Sequence, residues 1–274
     1  MTALSINRAW NETAAFLGRE ARLVLPIALL LVFLPGIASA LLIPPEGVAP
    51  TIAQAVIGLL LALVTLVTTL IAGIAISHLA LRPGASVGEA LQTGGRRFGP
   101  LFGASVLIAI PLVFVFFILI MIAAPLFLIG GQTISPAAMI TTLAPVVVLV
   151  ALAMLAIWAK LLLMTPVAAA ERVNPIEIIR RSWTLTRGHY WKLFGTFLLV
   201  LLVSGLVVGA ITNVFGSLIA LTLGQPAWGN LSYTVISLLQ ALLQTVVTTI
   251  TIVLVARIYA QLSGKDGAVG EVFR

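Results

Sequence analysis

Between Arg97 and Lys160 the chain carries no charged side chain, and between Lys192 and Arg257 it carries none again. A soluble fold cannot absorb such stretches, because every helix or strand at its surface turns part of its side chains to water. Each stretch is too long for one bilayer crossing, which takes about 20 apolar residues at ~1.5 Å each, and suits two. Each also breaks once, at "GGQTISP" (residues 130–136) and at "GQPAWGN" (residues 224–230). A third pair comes first: residues 23–43 and 51–77 are long enough to cross and are separated by "PPEGVAP" at 44–50. A bilayer offers no water to a bare backbone, so the crossings must be helices and the Pro- and Gly-containing breaks must be turns outside it. The expectation is an all-α polytopic membrane protein with about six transmembrane helices arranged as three hairpins.

Composition agrees. The 274 residues are 61% hydrophobic and 8% charged, with mean hydropathy +1.21, whereas soluble domains carry roughly 25% charged residues. Ala38-Ser39-Ala40 after an apolar run has the form of a signal-peptide cleavage site. The segment ahead of that run is long, however, and holds Glu12 and Glu20 beside Arg8, Arg19 and Arg22. A signal n-region is short and basic, so residues 23–43 are expected to be a retained span. The absence of cysteine excludes disulfides, thiolate metal sites and cysteine nucleophiles.

Charge then orients the chain. Every Lys and Arg lies before the first span, between the hairpins or near the hairpin ends, and none lies in the three turns. The positive-inside rule places both termini and both connecting segments in the cytoplasm, with the turns outside. The net charge of +7 is explained by this asymmetry and does not require nucleic acid.

Units of two spans preserve orientation, which invites a parallel repeat. "RAWNET" at Arg8 to Thr13 resembles "RSWTLT" at Arg181 to Thr186, and "LFG" recurs at Leu101 and Leu193. Ser86-x-x-Glu89 and Asn174-Pro175-x-Glu177 read as capping boxes, and Ser5 opens the first unit. Apolar positions follow at helical spacing, as in Ile176, Ile179, Trp183 and Thr186. Three units are expected, at residues 1–84, 85–172 and 173–274, each a cytoplasmic interfacial amphipathic helix leading into a hairpin, together forming one membrane domain.

"RRSWTLTRGHYWKLFG", from Arg180 to Gly195, is the densest cluster of charge and aromatics. Trp10, Trp183, Tyr190, Trp191 and Lys192 sit where interfacial anchors sit, and Arg180 and Arg181 face the headgroups. Nucleic-acid binding would need a reading element or an extended basic groove, and no soluble domain supplies one. His189 has no acidic partner nearby in sequence, and the other histidine, His78, is distant. The longer stretch "AAAERVNPIEIIRRSWTLTRGHYWKLFG", with "ARIYAQLSG" near the end, resembles the glycerophosphoryl diester phosphodiesterase membrane-domain family and related six-helix bacterial inner-membrane proteins. In that family the membrane domain can be fused to a soluble phosphodiesterase. The 274 residues carry no such domain, so the resemblance implies a fold and an inner-membrane location, and no hydrolytic activity.

Other motifs fall away. Pro175-x-Glu177-x-x-Arg180 matches a mitochondrial-carrier signature, but that motif must recur in every repeat to close its ring of charges, and here it does not. An intramembrane serine protease would need a histidine inside a span opposite Ser105. Zinc-protease signatures, P-loops and carboxylate pairs are missing. Two charges near span ends remain, Lys160 and Arg257, each costing at least about 2.5 kcal/mol if held at the midplane. His78 occupies the related place in the first unit. The plainer expectation is that each snorkels separately to the surface; the sharper one is that His78, Lys160 and Arg257 approach one cytoplasm-facing cavity for a lipid phosphate or other anion, with Arg180 and Arg181 at its mouth. Thr165-Pro166 should kink the fourth span and free a carbonyl.

These readings point to a non-enzymatic protein that engages anionic phospholipids through a cytoplasmic basic rim, as scaffold or regulator, with no cofactor and no metal. The alternative is a transporter or lipid translocator using the inner-leaflet cavity near Lys160 and Arg257. The midplane acids that proton-coupled carriers display are missing. Asn213, Gln240 and Gln244 are the strongly polar alternatives within the spans. The residues name no protein partner and no oligomeric state.

Overall fold

The computed structural model describes residues 4–45, 50–128 and 154–264, together with 148, 150 and 152. Among the described residues every regular element is a helix. In chain order these are α1 (Ile6–Leu42), α2 (Ile52–Leu81), α3 (Val87–Leu128), α4 (Met154–Ala170), α5 (Pro175–Thr186), α6 (Tyr190–Leu223) and α7 (Leu231–Leu262). Five of them, α1, α2, α3, α6 and α7, are long and apolar enough to cross a membrane. The chain is a multi-pass membrane protein. The expected turn at residues 130–136 lies outside the described residues, as does most of the one at 44–50.

Local chemistry explains most helix ends. Ser5 accepts from the Arg8 amide, Asn230 from the Tyr233 amide, and Thr51 forms a full capping box with Gln54. The two capping boxes read from sequence are built differently. Ser86 does cap the Glu89 amide, but the Glu89 carboxylate turns to His78 Nε2 at 3.4 Å and Arg82 at 4.0 Å. Asn174 precedes Pro175 at the helix start without a side-chain cap bond.

Among the described residues a separate short helix ahead of a hairpin exists only as α5. Gly188, at φ +92°, supplies the left-handed turn that divides α5 from α6. No such breaker interrupts the corresponding segments of α1 and α3, so each runs without a gap into its apolar part. Within α1 the irregularity is a π-helical turn at Leu29–Phe33. It falls just before Pro35, which cannot donate and whose ring crowds the carbonyl of Leu31. The two matching hexapeptides nevertheless share environments: Ala9 and Ser182 are fully buried, while Trp10 and Trp183 are 49% and 46% exposed. Thr13 and Thr186, both buried, each donate to the carbonyl four residues back.

Packing concentrates at one end. Every residue of α2 from Ala72 to Ala80 is buried, and α2 packs against α1, α3, α4 and α7. Buried positions of α1, α4, α5 and α7 gather around that segment, whereas the apolar side chains of α6 and of the opposite halves of α1, α2 and α3 are largely exposed. That is the pattern of a bundle packed tightly at one end, with apolar side chains left for lipid along the rest of the described helices. Small residues permit the tight end. A Cβ on Gly94 would stand 2.9 Å from the Ile71 carbonyl oxygen, and one on Gly103 would stand 3.1 Å from the Pro175 ring.

Gly94→Val should therefore force α3 off α2 and destabilise the protein by about 1–3 kcal/mol. Gly95→Ala, where a Cβ meets open space, should be neutral or mildly stabilising. Thermal melting in detergent compares the two, and equal melting temperatures would contradict the close approach.

Candidate functional site

The tight end is organised by what α4 leaves open. Pro166 has no N–H, and its ring crowds the carbonyl of Leu162, so the helix unwinds at Leu162 and Leu163 before resuming at Met164. The carbonyl of Lys160 then accepts from Ser182 Oγ at 2.9 Å and Thr186 Oγ1 at 3.3 Å, which docks α5. Tyr190 Oη donates to the Ala156 carbonyl at 3.3 Å, which holds the start of α6. At the far end of α4, Arg97 Nη1 reaches the carbonyls of Ala168, Ala169 and Glu171 at 2.9, 2.6 and 3.3 Å. A guanidinium there meets the negative end of the helix dipole and the carbonyls that no amide takes.

The residues expected to form one cavity are not brought together. Lys160 Nζ lies 4.0 Å from the Trp183 ring centroid and 5.6 Å from that of Tyr190. It is held by cation–π attraction at the surface of α5 and α6. His78 is fully buried and faces Glu89 across 3.4 Å. The Arg257 guanidinium lies over Phe16 of α1, 5.2 Å from the ring centroid. The cavity beside Lys160 is lined by Trp183, Arg187 and Tyr190, with no contribution from His78 or Arg257. Equivalent depth did not produce a shared site, because each of the three side chains found a different neighbour on a different helix.

Of the two arginines placed at the mouth, Arg180 is exposed, and Arg181 pairs with Glu171 at 3.5 Å. The anchors expected at the interface are on the surface: Trp10, Trp183 and Trp191 are exposed, with Trp191 edge-on to both Tyr190 and Phe194. Lys192 is exposed as well.

A different cluster was missed. Arg96, Arg97, Glu171, Arg172 and Asn174 are among the residues lining an open cavity of about 450 Å³ between α3, the end of α4 and the start of α5. Arg172 and Arg82 stand close enough to Arg97 for their charges to repel it. The nearest acid does not compensate them. Glu171 accepts from Tyr259 Oη at 2.7 Å and pairs with Arg181, and it is its backbone carbonyl that accepts from Arg97. Among the described residues neither Arg96 nor Arg172 has a carboxylate at ion-pair distance. The charges themselves are visible in the sequence as the borders of apolar stretches. Their convergence is not, because Arg97 meets its carbonyls across 71 to 74 residues. Three guanidinium groups around a water-open cavity can take a phosphate or another multidentate anion by charge-assisted hydrogen bonds.

A family model described as a domain of unknown function, DUF7847, matches residues 4–262. The chain belongs to the DUF7847 family. That match runs from just before α1 to the last residue of α7, so a DUF7847 domain comprises the whole bundle and the arginine cavity within it. No curated protein and no solved structure matches the chain. Nothing in the DUF7847 match bears on the likeness of residues 171–195 to the glycerophosphoryl diester phosphodiesterase membrane domains.

Arg97→Ala in this DUF7847 bundle should leave three carbonyls at the end of α4 without their donor and cost about 1.5–3 kcal/mol. A lower melting temperature checks this. Arg96→Ala, which removes an exposed side chain with no such bonds, should leave it within a degree or two.

Proposed function

We propose that this DUF7847 protein is a non-enzymatic, six-span protein of the bacterial cytoplasmic membrane that engages anionic phospholipid through a basic rim on its cytoplasmic side. In this reading α4 is the remaining span, and the bundle serves as a scaffold or regulator. The observation that carries the proposal is the gathering of Arg96, Arg97 and Arg172 around an open cavity whose lining acid, Glu171, is already engaged by Tyr259 and Arg181. Arg180, Arg187, Trp183 and Trp191 stand exposed on the adjoining α5 and the entry to α6. Cations beside exposed tryptophans suit the headgroup layer of an anionic leaflet, where each basic residue near the surface contributes about 1 kcal/mol. The resemblance of residues 171–195 to bacterial inner-membrane domains supports the same location. Lys160, His78 and Arg257 are given a structural part, since each is engaged inside the protein.

The second reading, a lipid translocator, draws on one feature: an apolar cavity of about 500 Å³ lies among α2, α3, α4, α6 and α7. It is the less favoured of the two, because no acidic residue lines that cavity to couple movement to protons.

Two measurements test the proposal. Because the chain has no cysteine, cysteines introduced at Gln132 and Gln225 report topology cleanly, and both should react with an impermeant thiol reagent added outside. Reaction from the inside alone would reverse the orientation. Purified protein should retain phosphatidylglycerol over phosphatidylcholine of the same chains, with the preference weakening as salt screens the rim. Equal retention of the two lipids would remove the lipid-engaging role.

A further inference from the structure

The basic cavity and the apolar cavity are neighbours along the bundle axis. On α3 the first is lined at Arg97 and Pro100 and the second begins at Leu101, continuing through Ser105, Ile108 and Leu112 on the same face. On α4 the first is lined at Ala168 and the second begins at Pro166, continuing through Thr165 and Met164. Both helices thus put no more than two residues, about 3 Å, between the two linings. They agree in direction, since α3 runs away from the basic end and α4 runs toward it. Along α2 the apolar cavity reaches from Leu66 to Ser77, about 16 Å of helix.

Ser77 marks its basic limit. The side chain is fully buried, yet its hydroxyl has no hydrogen-bond partner among the described residues. Gly73 abuts Thr165, where an added Cβ would lie 3.0 Å from the methyl group. One turn further along each helix brings Ser77 level with Ala169, whose carbonyl Arg97 holds. A polar donor without an acceptor therefore sits at the junction between arginines and apolar wall. Buried hydroxyls are ordinarily satisfied.

We infer that the two cavities form one bipartite site for a single phosphate-bearing lipid, with the phosphate on Arg96, Arg97 and Arg172 and an acyl chain along Ser105, Ile108 and Leu112. An ester carbonyl at the junction would accept from Ser77. Arg97 spends Nη1 on the end of α4, which leaves Nε and Nη2 for the phosphate and fixes the guanidinium in place before any lipid arrives. Arg96 and Arg172, both exposed, close on it from α3 and from the segment after α4. The apolar part selects a chain-bearing molecule over a free phosphate ester. This inference rests on the proposed engagement of anionic lipid and gives it a location and a stoichiometry of one.

The test uses the full chain in a neutral detergent and native mass spectrometry, with phosphatidylglycerol, phosphatidylcholine of the same chains, and glycerol phosphate as probes. Wild-type protein should retain one phosphatidylglycerol that glycerol phosphate does not displace. Arg96→Gln with Arg172→Gln should weaken that retention at least about tenfold, and so should Ala109→Phe, which places a ring at the wall of the apolar cavity. Neither should lower the melting temperature, because all three positions are exposed. Loss in the arginine variant alone, with displacement by glycerol phosphate, would show a headgroup site without a chain and overturn the inference. Full retention in both variants with loss on Arg180→Gln and Arg187→Gln would also overturn it while leaving the rim proposal standing. Failure of wild-type protein to prefer phosphatidylglycerol would end both.

Discussion

The open carbonyls of α4 hold the basic end of this protein together. In a bilayer a helix break is tolerated only when its freed polar groups find donors inside the protein, and α4 has such a break at Leu162 and Leu163. Its carbonyls are taken by α5 through Ser182 and Thr186, by α6 through Tyr190 and by α3 through Arg97. Three elements are thereby fixed to one short helix by hydrogen bonds, in surroundings where hydrophobic contact alone discriminates poorly between partners. The arginine cavity is a by-product of that arrangement, since Arg97 reaches α4 only by drawing the basic start of α3 against Arg172.

The acids are distributed so that this cavity stays positive. Glu171 is the carboxylate next to it, and it is occupied by Tyr259 of α7 and Arg181 of α5. Glu89 serves the buried His78, and Glu12 pairs with Arg8 along α1 at 2.7 Å. Glu171 and Glu12 thereby neutralise arginines elsewhere, Arg181 and Arg8, while Arg172 and Arg82 repel Arg97 beside open space. A cluster of like charges without a counterion stores electrostatic free energy that an anion releases on binding. Lys160 is handled differently: aromatic faces at 4.0 and 5.6 Å satisfy a cation without a carboxylate.

Sequence reasoning read Thr165-Pro166 as a kink that frees a carbonyl, and α4 unwinds there with the Lys160 carbonyl held by two hydroxyls. It read Ser86 as a cap but not the diversion of Glu89 to His78, because a capping box is inferred from local spacing and His78 lies on another helix. It grouped His78, Lys160 and Arg257 by equal depth in a repeat. Depth is a coordinate along the membrane normal, whereas a shared site also requires the same azimuth around the bundle, and that depends on which helices pack together.

What the sequence determined by itself is everything that follows from the solvent: helices, because bare backbone cannot face lipid; crossings, because charge is missing over long runs; and a basic end, because arginine and lysine collect outside the apolar runs. Those are one-dimensional constraints, and each is written in consecutive residues. Only tertiary structure decided which cations are spent and which remain available. The partners of Arg97 lie 71 to 74 residues away and those of Glu171 are on two further helices. No local pattern distinguishes an arginine that caps a helix from one that borders an empty cavity. The difference arises when α2 and α3 close over Gly94 and α4 breaks at Pro166, which sets the azimuth of every charge at the basic end.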